Sequence, residues 1–303
     1  MSSTKIPFVK LQSAGSDFVV INGSHRLPFD VSQFATRVCD RHLGVGAECL
    51  LVLEGSKKGD FALRTYSADG VETQSEGGIR CLARFIYSNH LVNPEQRRLD
   101  IESNQRVVGV EVIGRGDRIR IDMGQPVFDP TLIPAAAEGE QIGIGLVVDG
   151  RSIEVSVVGV GSPHCVVFVP SLVDAPVAEL GKILASHSFF PEGTNVEFVQ
   201  IEDRANIRMR AWQQGLGETL AFGEGSCAAV AAGVRLGRLD RSVHVHTKAG
   251  EFHVQWHGDS ERLFLTGPAH EVFRGEIDFE SGLGITPIAH STGSFSAVLT
   301  SSF

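Results

Sequence analysis

The 303-residue chain lacks the features that would place it at a membrane or on a nucleic acid. No apolar run approaches the roughly 20 residues that a bilayer-spanning helix needs, and the opening residues MSSTKIPFVKLQ contain no apolar signal segment. Lys and Arg number 27 against 36 Asp and Glu, a formal charge of -9, and no basic cluster offers a phosphate-binding surface. We therefore expect a cytoplasmic protein that binds neither nucleic acid nor membrane, with a small molecule as its partner.

Several enzyme motifs are missing too. There is no Walker motif, no Rossmann glycine pattern with the required spacing, no HExxH and no GxSxG. The five cysteines form no CxxC pair, and we expect most of them to be buried thiols. The adjacent His164 and Cys165 are expected to stand just before a strand with alternating side chains, which disfavours joint metal ligation. We infer no metal and no organic cofactor, and a structural hydrogen-bonding role for His164 and His270.

What the chain does have is length, glycine and an internal repeat. A chain of 303 residues with 42% hydrophobic residues is long enough for two domains of about 150 residues each. Gly15-Ser16-Asp17-Phe18 resembles Gly161-Ser162-Pro163-His164, and Glu72-Thr73 followed by Cys81 resembles Glu218-Thr219 followed by Cys227. Every pair is separated by the same 146 positions. A duplication explains the shared register, and a ligand site is expected where two similar halves meet.

The hydrophobic pattern predicts mixed α and β structure in both halves. Short β-branched runs bounded by Gly, Asp or Pro predict strands, and apolar residues spaced three and four apart predict helices. The predicted strands are Phe18 to Ile21, Leu50 to Leu53, Val107 to Ile113, Arg118 to Asp122, Ile153 to Val158, Val166 to Val169, Val196 to Ile201 and Leu263 to Thr266. The predicted helices are Val31 to Asp40, Gly78 to Asn89, Val177 to Ser186 and Gly225 to Leu236.

Gly-rich turns lead into two of these helices, at Glu76-Gly77-Gly78 and at Phe222-Gly223-Glu224-Gly225. A helix start leaves backbone N–H groups unpaired and carries partial positive charge, so each turn is suited to bind a carboxylate or phosphate. The alternative, that the glycines only permit tight turns, stays open.

At these residues the chain resembles the diaminopimelate epimerase family of cofactor-independent amino acid racemases. The matching segments run through nearly the whole chain and include Phe8-Val9-Lys10, Gly44-Val45-Gly46-Ala47-Glu48, Ala68-Asp69-Gly70, Gly78-Ile79-Arg80-Cys81, Gly161-Ser162-Pro163-His164, Phe190-Pro191-Glu192-Gly193-Thr194-Asn195, Gly215-Leu216-Gly217-Glu218-Thr219 and Thr266-Gly267-Pro268-Ala269.

The resemblance implies an α+β fold of two pseudo-symmetric domains, each a mixed sheet wrapped around a central helix, with the ligand cleft between them. The implied first domain spans residues 1–125 and 271–303, and the second spans residues 126–270. A homodimer is implied by analogy alone. Residues from about Gly282 onward extend past the recognisable family end, and their Ser, Thr and Gly content predicts a partly mobile tail or a segment that packs on a partner subunit.

The family removes and returns an α-proton with two cysteines, one at each helix start, and this chain has neither. The second thiol position is Phe222. The first motif is one residue short, so the first position is Ser75 when aligned on Gly78 to Cys81 and Glu76 when aligned on the internal repeat. We favour Glu76 because it keeps the following Gly77.

Positions that bind the substrate in the family are changed as well. Polar Asn and Gln residues of the family correspond to Ser16, Cys49, Ser67 and Ser162, and only Asn195 is retained. The Glu-Arg pair that binds the substrate's amino group and distal carboxylate is Gln213-Gln214, so we expect diaminopimelate to be a poor ligand. The remaining expected substrate contacts lie at the two turns: Gly77, Gly78, Gly223, Gly225 and Ser226.

Three functions remain open. In the first, Glu76, or Ser75 in its place, performs one-sided proton chemistry such as isomerisation, elimination or cyclisation on a small amino-acid-like carboxylate. In the second, Glu76 and Glu224 form a non-cysteine base pair that keeps racemase or epimerase activity on another substrate. In the third, the chain is catalytically inactive and binds a metabolite or partner.

Overall fold

The computed structural model describes residues 5–23, 30–258, 261–278 and 284–288, with the backbone alone for the last segment. The chain divides into two compact units. Unit 1 comprises Met1–Ile121 and Gly267–Phe303, and unit 2 comprises Asp122–Thr266. Both boundaries fall a few residues earlier than the division at residues 125 and 270 expected from the sequence, and both lie inside strands.

Four helices and nineteen strands are found in the described residues. The helices are α1 (Val31–Cys39), α2 (Glu76–Ser88), α3 (Val177–Ala185) and α4 (Gly223–Arg235). The strands are β1 (Lys5–Ser13), β2 (Ser16–Asn22), β3 (Cys49–Glu54), β4 (Phe61–Ser67), β5 (Glu72–Thr73), β6 (Arg98–Ser103), β7 (Arg106–Ile113), β8 (Arg118–Gly124), β9 (Ile144–Val148), β10 (Arg151–Val160), β11 (Ser162–Phe168), β12 (Asn195–Asp203), β13 (Asn206–Gln213), β14 (Gly217–Thr219), β15 (Ser242–Thr247), β16 (Gly250–Trp256), β17 (Leu263–Pro268), β18 (His270–Asp278) and β19 (Gly284–Ile288).

All four predicted helices and all eight predicted strands are present. The strand predicted at Val166 to Val169 begins earlier than expected, at Ser162, so that His164 and Cys165 lie inside β11 rather than before it. Helices α2 and α4 each begin two residues before their predicted starts, which brings Glu76 and Glu224 into their first turns.

The strands of unit 1 form a mixed sheet. β18 pairs antiparallel with β1, which pairs antiparallel with β2. β2 runs parallel to β3, with α1 between them in the chain, and β3 pairs antiparallel with β4. β4 then pairs antiparallel with the short β5 and parallel with β6, and α2 lies between β5 and β6 in the chain. Antiparallel β7 and β8 complete the order.

Unit 2 repeats this order of strands and helices. β10 and β11 are antiparallel, β11 and β12 are parallel with α3 between them in the chain, and β13 follows antiparallel to β12. β13 pairs antiparallel with the short β14 and parallel with β15, and α4 connects those two. Antiparallel β16 and β17 complete the order. The same sequence of pairings in both units confirms the pseudo-symmetric α+β fold.

One helix lies at the centre of each unit. In α2 the six consecutive residues from Gly78 to Ala83 are buried, and the helix packs on β1, β2, β3, β4 and β7. In α4 nine consecutive residues from Gly225 to Gly233 are buried, and small Ala and Gly side chains let it lie close to β10, β11, β12 and β16. Burial on every side accounts for the weak amphipathic pattern of α4, because a central helix needs no polar face.

The segment predicted as a tail contains a strand. β19 pairs antiparallel with β18 in unit 1, with Ile285 opposite Ile277, so this part belongs to a sheet rather than to a mobile tail. Residues 279–283 and 289–303 of the same prediction lie outside the described residues. None of the helices in the described part of the chain is long and apolar enough to cross a membrane.

Candidate active site

The start of α2 is capped by a side chain. Ser75 has extended backbone angles (φ -157°, ψ 119°), and its Oγ accepts a hydrogen bond of 3.0 Å from the N–H of Gly78. Glu76 is half-buried in the first turn, where a carboxylate is favoured by the helix dipole. A Cβ on Gly77 would lie 3.1 Å from the Phe18 ring, so close packing is one reason for glycine there.

The start of α4 has the same backbone but no capping side chain. Phe222 is extended (φ -147°, ψ 111°) and nearly buried. Glu224 lies in the first turn. Ser226 is fully buried, and its Oγ donates a hydrogen bond of 2.8 Å to the Phe222 carbonyl. The prediction that Ser226 contacts substrate is therefore corrected: its hydroxyl is committed to the helix backbone and has no exposed surface.

Ser75 and Phe222 occupy equivalent places. Each has extended backbone angles and directly precedes a 13-residue helix. Glu76 corresponds instead to Gly223, the first residue of α4. The preference for Glu76 as the first thiol position is therefore corrected to Ser75. The one residue by which the first motif is short is missing before α2 and not within it.

A polar network joins several predicted site residues of unit 2. Ser162 Oγ lies 3.2 Å from Glu224 Oε2 and also accepts a hydrogen bond of 3.1 Å from Asn195 Nδ2. Asn195 Oδ1 in turn accepts a hydrogen bond of 3.0 Å from the backbone N–H of Gln214. We call these four residues the Ser162 network. The network shows that residues from β11, β12, α4 and the turn after β13 meet at one place.

A glycine makes room for the Glu224 carboxylate. Gly161 has φ +71°, a conformation that L side chains rarely adopt, and a Cβ there would lie 2.5 Å from Glu224 Oε1. The backbone angle favours glycine, and any larger residue here would also displace the Glu224 carboxylate from its present position. The carboxylate is thus held over the β10–β11 turn rather than turned out to solvent, which the sequence left open.

The two glutamines of the predicted site have different surroundings. Gln213 is half-buried, and its carbonyl accepts a turn hydrogen bond from Leu216 N at 3.1 Å. Gln214 is exposed, and its Nε2 donates to the Glu192 carbonyl at 2.9 Å. The Gln214 amide thus lies along the backbone of the preceding loop. Of these two glutamines, Gln214 is the one that joins the Ser162 network, and it does so through its backbone N–H.

A buried histidine–glutamate pair lies beneath the network. His164 and Glu197 are both fully buried, with 2.8 Å between His164 Nδ1 and Glu197 Oε1. His164 Nε2 lies 3.2 Å from Ser162 Oγ, and the imidazole packs against the Phe222 ring with 5.5 Å between centroids. This supports the structural role expected for His164. Sequence reasoning missed Glu197, whose only signal was a charged residue inside the apolar β12.

In unit 1 the structure brings Cys49 and Ser67 together. They are directly opposite each other on the antiparallel strands β3 and β4, so their side chains share one face of the sheet. Cys49 is half-buried at the strand start. Ser67 Oγ donates to the Val71 carbonyl at 2.9 Å and also hydrogen-bonds Asp69.

The third predicted residue of unit 1, Ser16, hydrogen-bonds the carboxylate of Glu48. Partial desolvation of that carboxylate raises the pKa of Glu48, although the residue as a whole is exposed. The Glu48 backbone is fixed, since its N–H lies 3.0 Å from both Asp17 O and Asp17 Oδ1. Glu48 directly precedes Cys49 in the chain and is not among the residues predicted for the site.

The thiols present are poorly suited to proton abstraction. Four of the five cysteines are buried and Cys49 is half-buried. Burial raises the pKa of Cys39, Cys49 and Cys81 to about 12. It raises the pKa of Cys165 as well. Because the thiolate is the reactive form, none of these four side chains is an activated base at neutral pH. Within the described ranges, no group of three or more His, Cys, Asp or Glu side chains is placed so that it could hold a metal ion.

Comparison with known proteins now decides the family. The family model described as diaminopimelate epimerase matches residues 8–128 and 156–272. The chain belongs to the diaminopimelate epimerase family. It is 38% identical to the diaminopimelate epimerase of Moorella thermoacetica over 279 residues, covering 90% of this chain and 99% of the relative. It is 39% identical to that of Heliobacterium modesticaldum, with 89% and 99% covered.

Solved structures share the fold at low sequence identity. A hydroxyproline epimerase from Agrobacterium vitis superposes with a TM-score of 0.64 at 14% identity, covering 92% of this chain and 94% of its own. A PhzF-family phenazine biosynthesis protein from Bacillus anthracis gives 0.65 at 15%, covering 90% and 99%. A methylitaconate-delta-isomerase gives 0.63 at 14%, covering 97% and 100%. Family membership supports an isomerase-type enzyme at this coarse level.

Proposed function

We propose that the chain is a cofactor-independent isomerase-type enzyme that moves a proton on a small amino-acid-like carboxylate other than diaminopimelate. One observation carries the proposal. The two residues at the equivalent helix starts, Ser75 and Phe222, have no thiol, while the first turn that follows each of them carries a carboxylate, Glu76 or Glu224. The chain thus keeps the fold and the two helix starts of the family, and it has a carboxylate close to each position where the family has a thiol.

Glu76 is the leading candidate for the base. Its carboxylate is half-buried in the first turn of α2, next to backbone N–H groups that begin the helix. A general base must lie within hydrogen-bond reach of the proton it takes, and helix-start N–H groups stabilise the negative charge that develops as the proton leaves. One base is sufficient for isomerisation, elimination or cyclisation.

The pair Gln213-Gln214 supports a substrate other than diaminopimelate. An Arg guanidinium binds a carboxylate through two parallel charge-assisted hydrogen bonds, and a Gln amide offers one neutral donor group. In this chain the Gln214 amide hydrogen-bonds the Glu192 carbonyl. A distal carboxylate on the ligand would find no charge partner at this pair, so a substrate with one carboxylate is the better match.

A second candidate is a racemase or epimerase that uses Glu76 and Glu224 as its two proton-transferring groups. The Ser162 network favours it. Glu224 is joined through Ser162 Oγ to the buried His164 and its partner Glu197. A carboxylate held in this way has a fixed position and a hydrogen-bonded route for a proton. A surface glutamate without a functional role would require neither.

The two candidates are separated by deuterium exchange. The protein is incubated in D₂O with a panel of amino acids and keto acids, and incorporation at the α-carbon is followed by NMR. We expect exchange with at least one member, and loss of that exchange in Glu76→Gln. Glu179→Gln is the matched control, because Glu179 is also acidic and also in a helix first turn, that of α3.

The results with the two variants and the substrate panel distinguish the candidate functions. Exchange that survives Glu76→Gln shows that Glu76 is not the base. Inversion of a stereocentre that is lost in both Glu76→Gln and Glu224→Gln favours the two-carboxylate racemase over one-sided chemistry. Silence across the panel, with a ligand still raising Tm in a thermal-shift assay, would refute the enzyme and leave the inactive, ligand-binding protein.

A further inference from the structure

The hairpin of β15 and β16 carries an unusual set of side chains on one face. On its inner face Val243, Val245, Phe252 and Val254 are fully buried. Because side chains alternate along a strand, the other face carries Ser242, His244 and His246 on β15 and Glu251 and His253 on β16. Helix α4 packs against β16, and α3 packs instead on β12, β13 and β14. The histidine face is half-exposed, with 46% of the His244 side chain and 38% of the His246 side chain accessible.

The antiparallel register sets the histidines opposite one another. His244 is paired directly with His253, and the two imidazoles stack with 4.7 Å between centroids at 25°. His246 is paired directly with Glu251. Three imidazoles and one carboxylate therefore occupy two neighbouring cross-strand pairs on this face. Side chains that are directly opposite each other on adjacent strands lie close enough to interact.

Glu251 hydrogen-bonds one of the rings and lies near a second. Its Oε1 lies 2.8 Å from His244 Nδ1, and its Oε2 lies 3.7 Å from His246 Nδ1. A carboxylate that accepts from Nδ1–H fixes the tautomer in which Nε2 carries the lone pair, and this is the arrangement that metal-binding histidines use. On β16, His253 Nε2 lies 2.8 Å from Ser242 Oγ, so this ring too is oriented through one of its nitrogens.

We propose that this hairpin face binds a divalent transition metal ion of the zinc type, with His244, His246 and His253 as ligands and Glu251 as the carboxylate that orients His244. Three imidazoles are a sufficient protein ligand set for Zn²⁺, with water in the fourth position. Imidazole also suits Cu²⁺ and Ni²⁺, whereas Mg²⁺ and Ca²⁺ prefer oxygen ligands. The site lies on unit 2, on residues that the proposed function does not use.

Metal binding at this face requires the imidazole rings to change their orientation. The imidazole nitrogens now point to Glu251 and Ser242 and do not converge on one centre. Exposed side chains change rotamer on the picosecond-to-nanosecond scale, so the half-exposed rings can turn toward an ion without moving the strands. The nearest basic side chain by register is Arg208, opposite His246 on β13, and its charge is balanced by an ion pair with Glu202.

The test is calorimetric titration of the tag-free full-length chain with ZnCl₂. We expect about one Zn²⁺ per chain, with three-imidazole coordination. The double variant His246→Gln, His253→Gln should lose at least about tenfold in affinity, because even the loss of an orienting outer-shell partner costs about 10–100-fold. Glu251→Gln, which keeps all three rings, should lose a similar factor. His42→Gln, an exposed histidine in unit 1, is the matched control and should bind as the wild type does.

Circular dichroism of each variant establishes that it is folded, as expected for half-exposed side chains on a surface. With Co²⁺ in place of Zn²⁺, the wild type should show visible d–d absorption without the sulfur charge-transfer band that cysteine ligation would give. No binding by the wild type, binding undiminished in the double variant, or a sulfur band that persists in the double variant would each overturn the proposal. None of these results depends on catalytic activity.

Discussion

The hydroxyl of Ser162 lies 3.2 Å from the carboxylate of Glu224 and thereby ties the first turn of α4 to the start of β11. Ser162→Ala removes this contact without changing the fold of the strand. If Glu224 transfers a proton, we expect the exchange rate of an identified substrate to fall by about tenfold or more, since a misplaced acid or base loses much of its contribution. Steady-state deuteration kinetics measure this.

The control for that prediction is Ser186→Ala, an exposed serine whose Oγ bonds only the Lys182 carbonyl among the contacts described. Unchanged kinetics in both variants would show that the Ser162 contact contributes nothing to the reaction, and Glu224→Gln then decides whether Glu224 takes part.

Placing a thiol at Ser75 tests the corrected position. A cysteine at the start of a 13-residue helix has its thiolate stabilised by the dipole, and such thiols have a pKa below the ordinary value of about 8.5. We expect iodoacetamide at neutral pH to modify Ser75→Cys at least about tenfold faster than the native cysteines of the same protein. Mass spectrometry of the labelled peptides gives the ratio.

Cys81, in the same helix, is the internal reference, because burial raises its pKa to about 12. If the introduced thiol reacts no faster than Cys81, then Ser75 is not at an exposed helix start and the equivalence with Phe222 fails.

The buried pair of His164 and Glu197 predicts a large loss of stability when one partner is removed. His164→Ala leaves the Glu197 carboxyl group fully buried without its imidazole partner. A buried polar group that loses its partner costs about 1–3 kcal/mol, and the cavity left by the ring adds to this loss. Urea unfolding followed by circular dichroism measures the free energy. A loss below about 1 kcal/mol, the range of a surface substitution, would show that water reaches the pair and that it does not anchor β11 to β12.

Glu218 predicts a pH-dependent contribution to stability. The Arg210 guanidinium contacts both of its carboxylate oxygens at 2.8 and 3.0 Å, and this, with Lys248 at 2.7 Å, lowers the pKa of Glu218 from 4.5 to about 2. Because the folded-state pKa is depressed, the stabilisation is complete above pH 4.5 and is lost as the pH falls toward 2.

Glu218→Gln should therefore lower the free energy of unfolding by about 1 kcal/mol at pH 7, the scale of a partly exposed bidentate pair. The difference from the wild type should shrink between pH 4.5 and pH 2. A difference that is constant across this range would mean that packing, rather than charge, accounts for the effect.

Much of the fold could be predicted because the pattern of apolar residues that marks strands and helices is strong in both halves of the chain. The buried strands around Val19, Leu51, Val166 and Phe198 are short β-branched and aromatic runs, and these were found. Eleven of the nineteen strands in the described residues were not predicted, and two of them illustrate why. β14 has three residues, and β15 alternates histidine with valine so that half of its residues are polar. Such strands are defined by their neighbours in the sheet rather than by their own sequence.

The candidate site was predicted only in outline. The family resemblance predicts Ser162, Asn195 and Glu224 as site residues, but it gives no sign that Ser162 contacts the other two. Ser226 follows a Gly-rich turn, which predicts a ligand contact, but it is buried within α4 and its hydroxyl bonds the helix backbone. The choice between Ser75 and Glu76 depended on where α2 begins, and helix ends are the least certain feature of a sequence pattern.

The measurement that tests the central claim most directly is an assay of the purified wild-type chain with diaminopimelate in D₂O, followed by NMR at the α-carbons. The account predicts no epimerisation and no deuterium incorporation above the protein-free rate, because neither helix start carries a thiol and the Gln213-Gln214 pair offers no charge to a distal carboxylate. Turnover of diaminopimelate by this chain would contradict the account.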